Sequence, residues 1–208
     1  AMDTFMTIPY GGCKGGFVVV VADDPDAHYS STEQDTRMLA AYAEILCMEP
    51  GDQQEAKDMT LEAFDISEQT ELPVVLRSVS RISHASGDVV LGDVRKNKNN
   101  LGFNKHYKIP YRWNVYGPPG ARSKHEWLHQ QMPKMKAYVE QSRFNEMRLV
   151  DGAKTGVIGV GLGASYAREA LQELNLAEKV SFFKIGIPFP LPEKKLVSFL
   201  KTLDRVAI

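Results

Sequence analysis

The sequence predicts an α/β protein in which parallel sheets are covered by helices on both faces. Two apolar runs, at residues 17–22 and 74–79, have the length and composition of strands that are buried on both sides. The residues between them show helical spacing of apolar side chains, which provides the long crossover that parallel strands require. A second alternation of strand and helix begins near residue 150.

Two helices are predicted after the first strand. Ser31 and Gln34 have the spacing of a capping box, and so do Asp52 and Glu55. Each capping box is followed by apolar residues at helical spacing, which predicts one buried stripe per helix. The first stripe comprises Met38, Tyr42 and Ile45, and the second comprises Ala56, Met59, Ala63 and Ile66.

The middle of the chain divides the predicted domains. No periodicity survives between residues 93 and 123, so we expect an inter-domain connection there. A long helix follows, which Pro133 should kink or restart. Its inward side comprises Leu128, Met132, Met135, Val139 and Ser142. The predicted division is therefore residues 1–94, a basic linker with the long helix at residues 95–149, and residues 150–208.

The last part of the chain repeats the α/β pattern. We expect strands at residues 155–161 and 180–185, a helix at residues 163–174, and a final helix that begins near Pro192. The inward residues are Ala164, Ala167, Leu171 and Leu174 on the first helix and Leu196, Leu200 and Leu203 on the second. The last five residues have the composition of a further strand.

Composition and cysteine usage exclude several classes of protein. The 208 residues are 43% hydrophobic and 25% charged, as in an ordinary soluble globular protein. No apolar run approaches the ~20 residues of a membrane span, so we expect a cytoplasmic protein with no membrane partner. Cys13 and Cys47 lack the spacing of a ligand pair, and we interpret them as reduced thiols that cannot assemble an iron–sulfur site.

Charge is distributed unevenly along the chain. Residues 95–148 contain twelve Lys or Arg and three Asp or Glu, although the net charge of the whole chain is −1. Aromatic residues alternate with cations at residues 105–113, as in some nucleic-acid-binding segments, but no recognition motif accompanies them. We favour a linker along an acidic surface or a docking site for an acidic protein, and we expect no nucleic-acid partner.

Two glycine-rich segments resemble nucleotide-binding loops. Residues 159–164, Gly-Val-Gly-Leu-Gly-Ala, fit the dinucleotide fingerprint, but the next strand ends without the acidic residue that would hold the ribose. Residues 11–16 precede a strand, which is the reverse of a P-loop. We interpret the first segment as a tight turn with close helix packing and the second as a bend. A nucleotide- or nucleic-acid-binding α/β module is the alternative from a different functional class.

Polar residues follow two strands at their carboxyl ends, where open α/β sheets bind ligands. Asp23 and Asp24 end the first strand, and Arg81 and His84 follow the strand at residues 74–79. Arg81 could bind an acidic ligand or neutralise one of the two aspartates, and we favour neutralisation. His28 is interpreted by default as a solvated or capping residue.

Several of these segments together resemble a known family. Three blocks of the sequence resemble the large subunit of indolepyruvate:ferredoxin oxidoreductase, a member of the 2-oxoacid:ferredoxin oxidoreductase family. They are residues 15–25 (GGFVVVVADDP) with 28–31 and 33–37, residues 73–78 with Arg81, Ser83 and His84, and residues 183–196. The resemblance covers roughly residues 2–94 and 150–208 and is weaker between them.

The resemblance implies an enzyme that oxidatively decarboxylates arylpyruvates, such as indolepyruvate, to aryl-acetyl-CoA; another 2-oxoacid is the alternative substrate. The implied cofactors are thiamine diphosphate with Mg²⁺ and [4Fe–4S] clusters, and the implied partners are coenzyme A, a small subunit and ferredoxin. Residues 1–94 then correspond to the rear part of a pyrimidine-binding domain and residues 150–208 to the start of a transketolase C-terminal-like domain. We expect an internal fragment that is inactive alone and holds no complete cofactor site, so no catalytic residue or metal ligand is assigned.

Seven residues are expected at the edge of the substrate pocket because they lie at or near the carboxyl ends of strands. They are Asp24, His28, Ser31, Glu33, Arg37, Arg81 and His84. The basic middle of the chain is expected to help position ferredoxin, an acidic protein.

Overall fold

The computed structural model describes residues 2–94, 113–116 and 120–208. The elements in chain order are α1 (Met2–Gly11), β1 (Val18–Asp23), α2 (Arg37–Tyr42), β2 (Cys47–Met48), α3 (Gln53–Thr70), β3 (Val74–Val79), α4 (Ser80–Ser83), α5 (Ala121–Gln141), β4 (Met147–Arg148), β5 (Thr155–Val160), α6 (Gly161–Glu173), β6 (Ser181–Ile185), α7 (Glu193–Leu200) and β7 (Arg205–Ala207). Most of the predicted connection, at residues 95–112 and 117–119, lies outside the described residues. Within the described part, no helix has both the length and the apolar character needed to cross a membrane.

The strands form two sheets. The first has the order β1-β3-β2, and both of its pairs are parallel. The second has the order β4-β6-β5-β7, in which β5 is parallel to both β6 and β7, and β4 is antiparallel to β6. The predicted α/β fold with parallel sheets is confirmed.

Both sheets bury residues on their two faces, because successive residues of a strand point to opposite sides. In the first sheet Val74 shares a core with α3 and α5, whereas Val75 packs in a core with α2. In the second sheet Phe183 packs in a core with α7, and Phe182 packs in a core with α6. This alternation explains the sequences of β3 and β6, which are buried on both faces. The same prediction for the first strand is wrong, because β1 lies at the edge of its sheet and Val20 is 67% exposed.

The predicted cap of α3 by Asp52 is confirmed, but the reciprocal hydrogen bond of the capping box comes from Gly51 instead of Asp52. The Asp52 carboxylate accepts the backbone N–H of Glu55 at 2.8 Å, and the Glu55 carboxylate accepts the N–H of Gly51 at 2.9 Å. The side chains of Met59, Ala63 and Ile66 are buried against the first sheet, as the spacing predicted.

The predicted long helix is α5, and it packs on the first sheet. Leu128, Met135 and Val139 are buried in the same core as Met59. The helix continues through Pro133, so a restart at that residue is wrong. The predicted middle segment, residues 95–149, therefore contributes part of the core of the first sheet through α5.

The start predicted for the first helix is wrong, and so is the burial predicted for Met38 and Tyr42. Ile45, the third residue of that stripe, is buried, but it lies after the end of α2. Ser31 lies in an exposed loop, and α2 begins one residue after Thr36. Met38 and Tyr42 are each 72% exposed. The reason is tertiary: the carboxylate of Asp23 accepts the N–H and the hydroxyl of Thr36 at 2.7 and 2.5 Å, so a residue of β1 determines where the helix begins.

Smaller differences occur in the second half. Leu174 and Leu200 are 66% and 41% exposed, and both predictions of burial are wrong because these residues lie at the ends of α6 and α7. Helix α6 begins at Gly161, two residues before its predicted start. The two-residue strand β4 was not predicted, and neither were α1, β2 and α4 in the first half.

Backbone hydrogen bonds join the two sheets. The N–H of Cys47 donates to Phe189 O, and the N–H of Glu49 donates to Gly186 O, both at 2.8 Å. Asn145, which is 1% exposed, accepts the N–H of Gly186 at 3.0 Å and donates to Val139 O at 3.0 Å. The carboxyl end of the first sheet therefore lies directly beside the second sheet.

Candidate functional site

A cluster of buried charged residues at the carboxyl end of the first sheet consists of Asp23, Glu49 and Arg77. Asp23 ends β1, Arg77 lies in β3 and Glu49 follows β2, and they are 2%, 2% and 4% exposed. Each lies two residues after a member of the core that α2 covers, so strand alternation directs all three to that same face. Those core members are Val21, Val75 and Cys47.

Arg77 is the centre of this cluster. Its Nε–H donates to Asp23 Oδ2 at 2.5 Å, and its Nη1 lies 2.8 Å from Glu49 Oε2. Burial acts against the charged guanidinium, but the carboxylates of Glu49 and Asp23 outweigh it and raise the pKa of Arg77. Arg77 therefore stays charged and forms part of the framework of this sheet edge.

Glu49 is the least satisfied member of the cluster. Its Oε2 is close enough to Arg77 for an ion pair, yet no described donor meets this buried oxygen in hydrogen-bonding geometry. Burial raises the pKa of Glu49, and the positive charges of Arg77 and Arg37 partly offset that rise. On its other side the carboxylate lies against Gly161, where a Cβ would come within 2.5 Å of Oε1.

Asp24 faces inward and fixes the loop that follows β1. Its carboxylate accepts the backbone N–H groups of Tyr29 and Ser30 at 2.5 and 2.7 Å, and the hydroxyl of Ser80 at 2.5 Å. These hydrogen bonds, of which the one from Ser80 is the strongest cause, lower the pKa of Asp24 from 3.8 to about 2. Asp24 thus connects the loop to the start of α4.

Arg37 forms a bidentate pair with Asp35 near the same cluster. The Nε–H and Nη2–H groups of Arg37 donate to the two oxygens of Asp35 at 2.8 and 2.6 Å. The hydrogen bonds from Arg37 lower the pKa of Asp35 to about 2. Asp35 Oδ1 is also 3.8 Å from Arg77 Nε, so the pair extends the buried cluster toward solvent.

The remaining predicted site residues form an exposed rim. His28, Ser31 and Glu33 lie on the loop after β1, and Arg81 and His84 lie on and just after α4. The rings of Tyr29 and His84 stack with their centroids 4.6 Å apart, which brings the two segments together. The structure thus places Asp24 and Arg37 in the framework and the other five at the surface.

The predicted neutralisation of the aspartates by Arg81 is wrong. Arg77 pairs with Asp23, because its position in β3 directs it to the buried face, whereas Arg81 lies exposed on α4. Sequence reasoning also missed Glu49 as a member of the cluster. An arginine in an otherwise apolar strand, and a glutamate directly after a buried segment, were the available signals, since a buried charge requires a partner.

The glycine-rich turn between β5 and α6 has a packing role. A Cβ on Gly159 would lie 2.4 Å from Ala164 Cα, and Gly161 has φ +49°, a conformation that favours glycine. These contacts support the interpretation as a tight turn with close helix packing. Neither of these contacts is specific to a dinucleotide-binding site.

The chain is similar in sequence to known proteins. It is 44% identical to "Indolepyruvate oxidoreductase subunit IorA" of Pyrococcus abyssi and 36% identical to the subunit of that name from Archaeoglobus fulgidus, in both cases over the whole chain and 32% of the relative. The chain is homologous to part of IorA. The family resemblance seen in the sequence is confirmed, and the chain spans about a third of the length of these IorA proteins. No family model matches.

A solved structure has the same fold. The chain resembles a 2-oxoglutarate:ferredoxin oxidoreductase from Magnetococcus marinus, solved with 2-oxoglutarate, coenzyme A and succinyl-CoA bound. The TM-score is 0.64 at 17% identity, and the match covers 97% of this chain and 42% of the other. The sequence similarity to IorA extends over the whole chain, and the likeness in fold extends over 97% of it.

Within the described residues, the side chains of the candidate site do not by themselves fit the cofactors that the family resemblance implies. A [4Fe–4S] cluster is held by cysteine thiolates, and the chain has only Cys13 and Cys47. Burial raises the pKa of the Cys47 thiol to about 12, which disfavours the thiolate that binds iron. The carboxylate of Asp23 already accepts hydrogen bonds from Arg77 and Thr36, so it is poorly suited to coordinate Mg²⁺.

Proposed function

We propose that this chain forms part of a 2-oxoacid:ferredoxin oxidoreductase that decarboxylates arylpyruvates such as indolepyruvate. The 44% identity to IorA over the whole chain is the main support. In the proposed reaction the 2-oxo acid loses CO₂, its acyl group passes to the sulfur of coenzyme A, and the electrons released reduce ferredoxin. Thiamine diphosphate, Mg²⁺ and the [4Fe–4S] clusters are then supplied by other parts of the assembly, which includes a small subunit.

We place the exposed rim at the edge of the substrate pocket. Within the described residues Arg81 forms no ion pair, so its guanidinium is available for the carboxylate of an arylpyruvate. The stacked rings of Tyr29 and His84 offer an aromatic surface beside it. His28, Ser31 and Glu33 complete the rim, while Asp24 and Arg37 hold it in place.

A chimeric enzyme tests the proposed function. The chain replaces the aligned segment of Pyrococcus abyssi IorA, and the chimera is produced anaerobically with the companion small subunit. We expect ferredoxin reduction that depends on both indolepyruvate and coenzyme A. A correctly assembled chimera with full cofactor content that reduces ferredoxin with no 2-oxoacid at all would overturn the proposal.

Substitutions in the same chimera test the rim. Arg81→Ala should raise the KM for indolepyruvate much more than Arg143→Ala, which removes an exposed arginine that already pairs with Glu62 of α3 at 3.0 Å. His84→Ala should raise the KM for indolepyruvate more than that for pyruvate, since the aromatic surface serves the indole ring. Equal kinetics for all three variants would show that the rim lies away from the substrate.

The proposed contact with ferredoxin is restricted by the structure. Several cations of the basic segment that lie in described regions already pair with acidic residues of this chain; they are Arg122, Lys136, Arg143 and Arg148, with Glu126, Glu193, Glu62 and Glu178. The docking hypothesis therefore concerns mainly residues 95–112. Neutralising the five Lys and Arg between residues 95 and 108 should raise the KM for ferredoxin at low salt and leave the KM for indolepyruvate unchanged.

A further inference from the structure

Among the described residues, one group of side chains outside the candidate site has the chemistry of metal ligands. Glu44, His125 and His129 place one ligand atom each within 4.8 Å of one another. Imidazole nitrogen and carboxylate oxygen are both ordinary ligands of Zn²⁺. Neither the IorA resemblance nor the proposed reaction uses these residues.

Two elements bring the ligands together. His125 and His129 are four residues apart on α5, so they lie on the same side of the helix, and their ring centroids are 4.2 Å apart. Glu44 lies in the turn between α2 and β2, where its backbone adopts φ +57° and its N–H donates to Ala41 O at 3.1 Å. The turn directs the carboxylate toward the two rings.

Each carboxylate oxygen faces a different histidine. Glu44 Oε2 is 2.8 Å from His125 Nε2, and Glu44 Oε1 is 3.0 Å from His129 Nε2. The three side chains are 28%, 41% and 57% exposed, so an ion can reach them and their tips can move. Tyr10 of α1 stacks on His125 with the centroids 5.3 Å apart, which supports that ring from behind.

We propose that Glu44, His125 and His129 bind one Zn²⁺ ion or a similar transition metal. With metal–ligand bonds of about 2.0–2.2 Å, neighbouring ligand atoms in a tetrahedral site are roughly 3.3–3.5 Å apart. The two observed N–O distances of 2.8 and 3.0 Å are within a few tenths of an ångström of that spacing, and all three ligand atoms lie within 4.8 Å of one another. Two histidines at this helical spacing are a recurrent zinc-binding arrangement.

The site would connect α5 to the turn before β2. Glu44 is separated from the two histidines by 81 and 85 residues in the sequence. Three protein ligands leave a coordination position for water or an external group. The alternative is that the histidines simply form ion pairs with Glu44 when protonated, without any metal affinity; the experiment must separate these two cases.

Metal titration of the full 208-residue chain tests the proposal. The chain is first treated with a chelator and then titrated at neutral pH with Co²⁺, followed by absorption, and with Zn²⁺ in competition with a chromophoric chelator. We expect one equivalent of Co²⁺ with a visible absorption band, which Zn²⁺ displaces. Zn²⁺ should also raise the thermal unfolding midpoint, because it binds the folded chain preferentially.

Two variants change proposed ligands, and a third is their control. Glu44→Gln and His129→Gln should each weaken Zn²⁺ binding at least tenfold, which is the lower end of the cost of losing even an outer-sphere partner. His28→Ala is the matched control, because His28 is an exposed histidine 3.7 Å from a single carboxylate, that of Asp26. Its Zn²⁺ affinity should match that of the unchanged chain. Circular dichroism confirms that all variants are folded.

Two results would overturn the proposal. One is Zn²⁺ affinity that is the same in the unchanged chain, Glu44→Gln and His129→Gln, because binding would then occur elsewhere. The other is a stoichiometry of one ion for two chains with metal-dependent dimerisation, because the ligands would then come from two molecules. His129→Cys keeps a zinc-binding side chain and should retain most of the affinity that His129→Gln loses.

Discussion

Arg77 and Asp23 form an ion pair with 2.5 Å between Nε and Oδ2, and each side chain is only 2% exposed. Asp23 uses its remaining hydrogen-bonding capacity for Thr36, directly before α2. The pair thus connects β1, β3 and α2 at the sheet edge beside the proposed pocket. Either charge without the other would be buried and uncompensated.

Replacing Arg77 by Met should destabilise the chain by about 3–5 kcal/mol, because Asp23 and Glu49 would remain buried without their cation. The midpoint of urea unfolding measures this loss at constant m-value. Arg143→Met is the matched control: it removes a 62% exposed arginine that also pairs with a carboxylate, and it should change stability by less than about 1 kcal/mol. Equal effects of the two variants would contradict the framework role of Arg77.

Ser80→Ala should raise the pKa of Asp24 from about 2 toward 3.8, because the Ser80 hydroxyl is the main group that stabilises the Asp24 carboxylate. A pKa that is depressed in the folded state gives stability that is present above the unfolded value of 3.8 and is lost as pH falls through about 2. Carboxyl-carbon NMR titration, assigned with Asp24→Asn, measures the shift.

The same Asp24 titration has a simple control. Ser83→Ala removes a hydroxyl of the same helix that bonds to Ser78 at 2.8 Å and not to Asp24. It should leave the pKa of Asp24 in place. An unchanged Asp24 pKa in Ser80→Ala would show that the backbone N–H groups of the loop are sufficient.

Gly161→Ala should destabilise the chain by about 1–3 kcal/mol. The new Cβ would lie 2.5 Å from Cγ and Oε1 of Glu49, and the residue has φ +49°. Gly163→Ala is the matched control in the same helix, since a Cβ there meets nothing within 4 Å, and it should stabilise α6 by about 0.5–1 kcal/mol. Urea unfolding measures the change in the free energy of unfolding, which should be negative for Gly161→Ala and positive for Gly163→Ala. Stabilisation by both substitutions would contradict the contact between Glu49 and α6.

Asn145→Ala should destabilise the contact between the two sheets by about 2–4 kcal/mol, because buried backbone groups would lose their partners. Asn145 accepts the N–H groups of Gly186 and Ile187, both at 3.0 Å, and donates to Val139 O. Hydrogen exchange should show the Ile187 amide losing protection, whereas the Gly186 amide keeps its second acceptor, Phe144 O, at 3.1 Å. Gln141→Ala, at an exposed position of the adjacent helix, should have little effect on either measurement.

The fold was largely predictable because its signals are local. The apolar strand at residues 74–79 is buried in β3, and Asp52 caps the start of α3 as the sequence indicated. Both depend on residue type and spacing over a few positions. The residue types around positions 15–37 and 73–84 likewise indicated the family without any structural information.

The candidate site depended on contacts between distant residues. Arg81 was the expected partner of the aspartates, yet Arg77 occupies that role because strand register and alternation direct it to the buried face. The start of α2 was mispredicted for the same reason, since Asp23 binds Thr36 across the fold. Local sequence determined the strands, the α3 helix and the family, whereas the tertiary structure decided which charges are buried together, because only the pairing of strands brings residues 23, 49 and 77 onto one face.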